Sequence, residues 1–181
     1  MTRKDISFNT SDGVTLRGWF YTHSSSSTTP APCLVMSHGF SAVKEMALDN
    51  YASHFIGQLA LNILVYDHRG WGASDTLPGQ PRQELIASIQ CSDISDAITY
   101  AQSRKEVNPE KIGIWGTSYS GGHVLWVGAV DKRVKAVVSQ LAMVNGWENL
   151  NRLVRADMLA QLSVGFQAGK KTNLSFHDLA C

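Results

Sequence analysis

KIGIWGTSYSGGH, residues 111–123, is the stretch that decides how this chain folds. Its first part, residues 112–115, is a short apolar run of the kind that forms a buried strand. The run passes directly into a glycine-rich turn with Ser118 at the apex. A helix is expected beyond it, from about residue 118 to residue 130. A serine hydroxyl is a weak nucleophile unless a sharp turn exposes it beside backbone N–H donors. The order strand, Gly, any residue, Ser, any residue, small residue, helix supplies that geometry. Gly116 and Ser120 stand at the two positions where a tight turn needs small side chains. Ser120 departs from the usual glycine, but serine is nearly as small and two glycines follow. The competing reading is an ordinary glycine-rich helix start. Other landmarks favour the turn, and Ser118 is the candidate nucleophile.

Outward from this stretch, strands and helices alternate. Residues 6–8 and 14–21 flank the turn triplet Ser11-Asp12-Gly13 and read as an antiparallel hairpin. The Ser/Thr/Pro-rich residues 23–32 read as a surface loop. A buried strand follows at 33–36 and ends in Ser37-His38-Gly39-Phe40. Apolar residues at helical spacing mark a helix over 45–60. The next buried strand, 63–66, is closed by Asp67-His68-Arg69-Gly70-Trp71-Gly72. A second helix is expected between 82 and 104, and a further strand at 134–140. Residues 147–162 again show a helical pattern. Buried strands separated by helices imply an α/β fold, a mostly parallel sheet with helices on both faces. In such sheets sites form at the carboxyl ends of the strands, where His38-Gly39, Asp67 and Ser118 all fall.

Composition sets looser bounds. The chain has 181 residues, 44% of them hydrophobic, enough for one domain or part of one. A net charge of +1 without any basic run gives no reason to expect nucleic acid. The N-terminal residues MTRKDISFNT carry no apolar segment, so neither a leader nor a membrane anchor is expected there. Cys33, Cys91 and Cys181 are too scattered for a disulfide or zinc framework. The first two read as buried thiols, which points to a cytoplasmic protein. No cofactor or metal motif is visible.

Three motifs in order, SHGF, YDHRGWGASD and GTSYSGG, make the chain resemble the α/β-hydrolase superfamily over residues 6–150. More narrowly it resembles the fungal polyketide transferases and thioesterase-like hydrolases of secondary-metabolite gene clusters. The resemblance also touches dienelactone-hydrolase-like and peptidase-like proteins. It implies that Ser118 is the nucleophile. It implies too that the backbone N–H groups of Phe40 and Tyr119 form the oxyanion hole. The implied activity is hydrolysis or transfer of an acyl group held as an ester or thioester. The implied partner is a small-molecule acyl substrate, free or linked to a carrier or to CoA, with no nucleic acid and no membrane.

The same resemblance places an acid and then a histidine base after the nucleophile. Only Asp157 and His177 stand in that order. Asp157 lies within the helical pattern, and the last stretch, GFQAGKKTNLSFHDLAC, shows no adequate strand. The C-terminal strands are therefore expected to be missing, with residues 1–145 forming the N-terminal part of the core. Residues 146–181 would form the start of a cap and an atypical tail. A catalytically inactive fragment is the alternative to an active acyl hydrolase or transferase. The remaining histidines read as structural: His38 in the oxyanion turn, His68 in the loop after its strand, and His123 on a helix face turned from the serine. His54 reads as an exposed or interfacial helix residue, and His23 as part of the flexible loop.

Overall fold

The computed structural model describes residues 1–164 other than Thr28, Ala156, Leu159, Ala160, Leu162 and Ser163. Its N-terminal hairpin reaches well beyond the apolar residues that announce it. Strand β1, Thr2–Asn9, pairs antiparallel with β2, Thr15–Thr22, from Thr2↔Thr22 to Asn9↔Thr15. The added residues, Arg3 to Asp5, are charged, and they lie on an edge strand. Charge there discourages pairing with another chain.

Beyond the hairpin come β3, Ala31–Ser37, α1, Leu48–Gln58, β4, Asn62–Tyr66, and α2, Ala87–Gln102. They are followed by β5, Val107–Thr117, α3, Tyr119–Val130, and β6, Val134–Gln140. The six strands form one sheet in the order β1-β2-β4-β3-β5-β6. β2 runs antiparallel to both its neighbours, whereas β4, β3, β5 and β6 are mutually parallel.

Alternation along the strands divides the core in two. Leu16, Phe20, Val35, Leu64, Ile112 and Ile114 share one cluster with Ile94, Ala97 and Ile98 of α2 and Val124 and Val127 of α3. The intervening residues Tyr21, Met36, Ile63, Val65 and Trp115 pack with Leu48, Ala52 and Ile56 of α1. Helices thus cover both faces. Each fully buried large aliphatic side chain contributes about 1.5–3 kcal/mol. The far edge is different. Val137 and Val138 of β6 and Trp126 and Val130 of α3 are exposed although apolar.

Several elements begin or end away from their expected positions, for local reasons. α1 starts at Leu48 rather than residue 45, because Ala47 takes a left-handed conformation and Lys44 is tied to Asp67. α2 starts at Ala87 rather than near residue 82, because Arg82 bonds the carbonyls of Gly72 and Ser74. β5 is longer than its apolar run, since its pairing with β3 resumes at Ala31↔Val107 after an irregularity.

Two compact units are present, residues 1–144 and 145–181. Among the described residues of the second, α4 spans Gly146–Leu153. It is stapled by a Glu148–Arg152 pair and capped by Asn145, whose side-chain oxygen accepts the Glu148 N–H. The expected helix over 147–162 is interrupted. Arg155 grips Asp157 with both Nε and NH2. Residues two apart do not face each other on a helix, so this pair marks a break.

Register places the site. Ser37 at the end of β3 pairs with Tyr66 at the end of β4 and with Gly116 near the end of β5. The three turns that follow, at His38, Asp67 and Ser118, therefore emerge side by side at the carboxyl edge of the sheet.

Candidate active site

One residue separates β5 from α3, and it is Ser118. Its backbone sits at φ 54° and ψ −116°, a region that L residues rarely enter. Such a conformation costs about 1–3 kcal/mol and persists only where the surroundings over-determine it. Here they do. The Ser118 N–H donates to Gln140 O at 2.9 Å, and Ser118 O accepts the Met143 N–H at 2.9 Å. The last residue of β6 and the segment just after it thus hold the turn at its N–H and at its carbonyl. Ser118 stands at the N-cap position of α3, yet its side chain makes no capping hydrogen bond. Ser118 as a residue is half-buried, and its hydroxyl is not spent on capping the helix.

The two small positions are explained by contact. A Cβ at Gly116 would lie 2.3 Å from the carbonyl oxygen of Ser120. Ser120 is itself fully buried, and its hydroxyl shares a short hydrogen bond with that of Ser37 at the end of β3. Serine in place of glycine therefore joins the turn to the neighbouring strand.

The turn after β3 lies directly against the serine. A Cβ at Gly39 would stand 3.0 Å from Ser118 Cβ and 3.6 Å from Ser118 Oγ. A side chain there would press the two turns apart by a few tenths of an ångström. Phe40 follows, 56% exposed, with its ring edge-on to that of Tyr119 at 6.1 Å between centroids. Tyr119 opens α3, where the first N–H groups of any helix have no intrahelical acceptor. The helix dipole adds partial positive charge at the same point.

A buried polar frame holds these turns. His38 Nδ1 donates to Gly39 O at 3.0 Å, and its Nε2 accepts the His68 N–H at 3.0 Å. Asp67, fully buried, accepts the Lys44 N–H at 2.8 Å, Lys44 Nζ at 2.6 Å and the Ala73 N–H at 3.0 Å. Arg69 does not pair with Asp67. It binds Asp93 through Nε and NH2, and Asp12 through NH1 and NH2. Arg69 holds the Asp12 carboxyl down to about 2, whereas burial pushes that of Asp93 up to about 6.

Asp157 is exposed, belongs to the second unit and is paired with Arg155. His177 lies outside the described residues. His123 is buried between Tyr119, at 4.5 Å between ring centroids, and His68, at 5.9 Å. His54 is an exposed residue of α1 set against Phe55, and His23 Nδ1 bonds the Ser25 hydroxyl. Cys33 and Cys91 are buried free thiols, which burial pushes up to about 12 and about 11. Cys181 is outside the described residues. Among the described residues no group of three or more His, Cys, Asp and Glu could hold a metal ion. No described helix is long and apolar enough to cross a membrane. Sequence reasoning passed over Lys44 and Ser37. The lysine in SAVKEM carries no periodic signal, and the serine looks like the end of a strand.

Comparison with known proteins agrees with this architecture. The chain is 33% identical over 161 residues to the thiohydrolase aneE of Aspergillus aculeatus, covering 89% of this chain and 48% of that protein. It is 37% identical over 145 residues to the quorum-quenching protein AidA of Acinetobacter baumannii, covering 80% and 45% respectively. The crystal structure of the alpha/beta hydrolase GrgF from Penicillium sp. sh18 superposes with a TM-score of 0.72 at 30% identity. That match covers 97% of this chain and 57% of the other. A curated protein from Penicillium under the name polyketide transferase grgF is 36% identical over 84% of this chain. The chain spans about half the length of the curated relatives it matches. The family model described as the alpha/beta hydrolase fold matches residues 32–177, and the chain belongs to that family.

Proposed function

We propose that this chain carries the nucleophile and the oxyanion hole of an acyl hydrolase or acyltransferase acting on esters or thioesters. The observation that carries the proposal is Ser118 itself. It is held at positive φ between a strand and a helix, with its hydroxyl uncapped and the Gly39 turn pressed against it. Ser118 Oγ adds to the acyl carbonyl and gives its proton to a base. The oxyanion draws on the N–H groups of Phe40 and Tyr119, a kind of donor worth about 10²–10³-fold each. The tetrahedral intermediate then expels a protonated alcohol or thiol and leaves the acyl group on Ser118. Water or an alcohol takes up that acyl group. Relatives named as a thiohydrolase and as polyketide transferases favour a polyketide-type acyl chain as the substrate. We propose that the acyl chain arrives as a small molecule, free or linked to a carrier or to CoA, in the cytoplasm. Asp157 and His177 are the acid and base that chain order allows.

A second reading has an observation of its own. Among the described histidines, His38 has both ring nitrogens engaged and His123 is buried against His68 and Tyr119. Under that reading the chain keeps the nucleophile turn but turns over no substrate. Release of p-nitrophenol from p-nitrophenyl esters separates the two. Steady turnover that both Ser118→Ala and His177→Ala abolish supports the enzyme. No release beyond that of Ser118→Ala supports the inactive form.

A further inference from the structure

Behind the turn that carries Phe40 lie three buried imidazoles from three parts of the chain. His38 follows β3, His68 follows β4 and His123 is on α3. They are 3%, 1% and 5% exposed. The ring of His38 lies 4.7 Å from that of His68, which lies 5.9 Å from that of His123. Both ring nitrogens of His68 and both of His123 are buried without a hydrogen-bond partner among the described residues.

The hydrogen bonds of His38 fix its protonation state. Gly39 O can only accept, so Nδ1 carries a hydrogen. The His68 N–H can only donate, so Nε2 carries none. A single form, the neutral Nδ1–H tautomer, makes both bonds. Together they tie the Gly39–Phe40 turn to the turn after β4. A proton on Nε2 would set donor against donor at His68 N and bring a cation against two imidazoles that lie out of water. The surroundings of the trio are mixed in sign. Asp67 and Glu45 favour a cation on His38, Lys44 opposes it, and Tyr66 and Tyr119 face the cluster uncharged.

We propose that this trio is an acid-sensitive latch on the oxyanion turn. Neutral, His38 holds the Gly39–Phe40 turn against Ser118; protonated, it releases His68 and the Phe40 N–H leaves its place. The latch rests on the reading that this N–H is an oxyanion donor. His38 acts here as a positioning residue. Burial pushes all three imidazoles below their ordinary value, His123 to about 4. The latch is therefore closed at neutral pH and opens in acid. A charge on His38 in turn disfavours protonation of His68 and His123.

The test is an NMR titration of the full chain, labelled with ¹⁵N, from about pH 7.5 to about pH 4.5, a range that spans imidazole protonation. The expected result is the Nδ1–H tautomer of His38 at neutral pH and a Phe40 amide that shifts with the midpoint of His38. In His38→Gln, which keeps an acceptor but does not ionise, the Phe40 amide should hold still through the same range. Should that variant not fold, the wild-type titration decides alone. An Nε2–H tautomer, or a Phe40 amide that stays in place while His38 titrates, overturns the latch. Fluorophosphonate labelling of Ser118 at neutral pH is the second arm. A co-titrating Phe40 amide in a chain that never labels upholds the acid response and overturns the serine reading instead.

Discussion

Gly116→Ala is the substitution that most directly tests the geometry of the Ser118 turn. The added Cβ would lie 2.3 Å from Ser120 O, 2.6 Å from Ser120 C and 3.0 Å from Val124 Cγ1. Ordinary contact begins near 3.4 Å, so the first turn of α3 must move by about 1 Å. Two of the three clashing atoms are backbone, and no rotamer change relieves them. Overpacking of this kind costs about 1–3 kcal/mol, here near the top of the range. For a chain of this size, 3 kcal/mol lowers Tm by about 6–12 °C. Gly57→Ala is the control. It lies in α1 with open space around the new methyl, and it should raise stability by about 0.5–1 kcal/mol. Urea and thermal unfolding followed by circular dichroism read both variants. Fluorophosphonate labelling reads the turn itself, and Gly116→Ala should label at least about tenfold more slowly. A Gly116→Ala protein as stable and as reactive as wild type would refute the claim that a tight turn positions Ser118.

Three further outcomes follow from the buried polar frame. Ser37→Ala or Ser120→Ala alone should cost about 1–3 kcal/mol by stranding a buried hydroxyl, and the double variant should cost less than the sum, as a double-mutant cycle by urea unfolding will read. Lys44→Met should cost about 3 kcal/mol, since it leaves the Asp67 carboxylate buried with two backbone donors but no cation. Lys44→Met plus Asp67→Asn should recover part of that loss in the same assay. Acid should destabilise the fold through His123, whose imidazole burial pushes down to about 4. Between an ordinary value of about 6.5 and that value the unfolded chain binds a proton that the folded chain does not. Stability therefore falls as pH falls, by about 3 kcal/mol across that window. His38 and His68 add to the same limb, so His123→Phe should make it shallower without removing it, and an unchanged limb would show that His123 does not titrate there.

The parallel part of the sheet was legible because its strands carry short apolar runs, unbroken and buried on both faces in β4. β6 has the bounds that VKAVVSQ suggests. The Ser118 turn was legible because small residues at Gly116 and Ser120 have a steric reason visible in the motif. What stayed hidden depends on partners distant in sequence. The first half of β1 is charged and becomes a strand only through its register with β2. The start of α1 is set by Lys44 reaching Asp67, a pairing that no local pattern encodes. Ser37 and Ser120 meet across two strands. His38, His68 and His123 come together only when β3, β4 and α3 are assembled, so each alone read as an ordinary structural histidine. Arg69 illustrates the same limit. It lies two residues from Asp67, yet it binds Asp12 and Asp93 instead.

If Ser118 is a poised nucleophile, an electrophile that traps activated serines will find it. The full chain is treated with a fluorophosphonate at neutral pH, and the intact protein and its peptides are weighed by mass spectrometry. One adduct per chain is expected, located on Ser118 and absent from Ser118→Ala. An unmodified Ser118 under conditions that saturate a control serine hydrolase, or an adduct at any other residue, would contradict it.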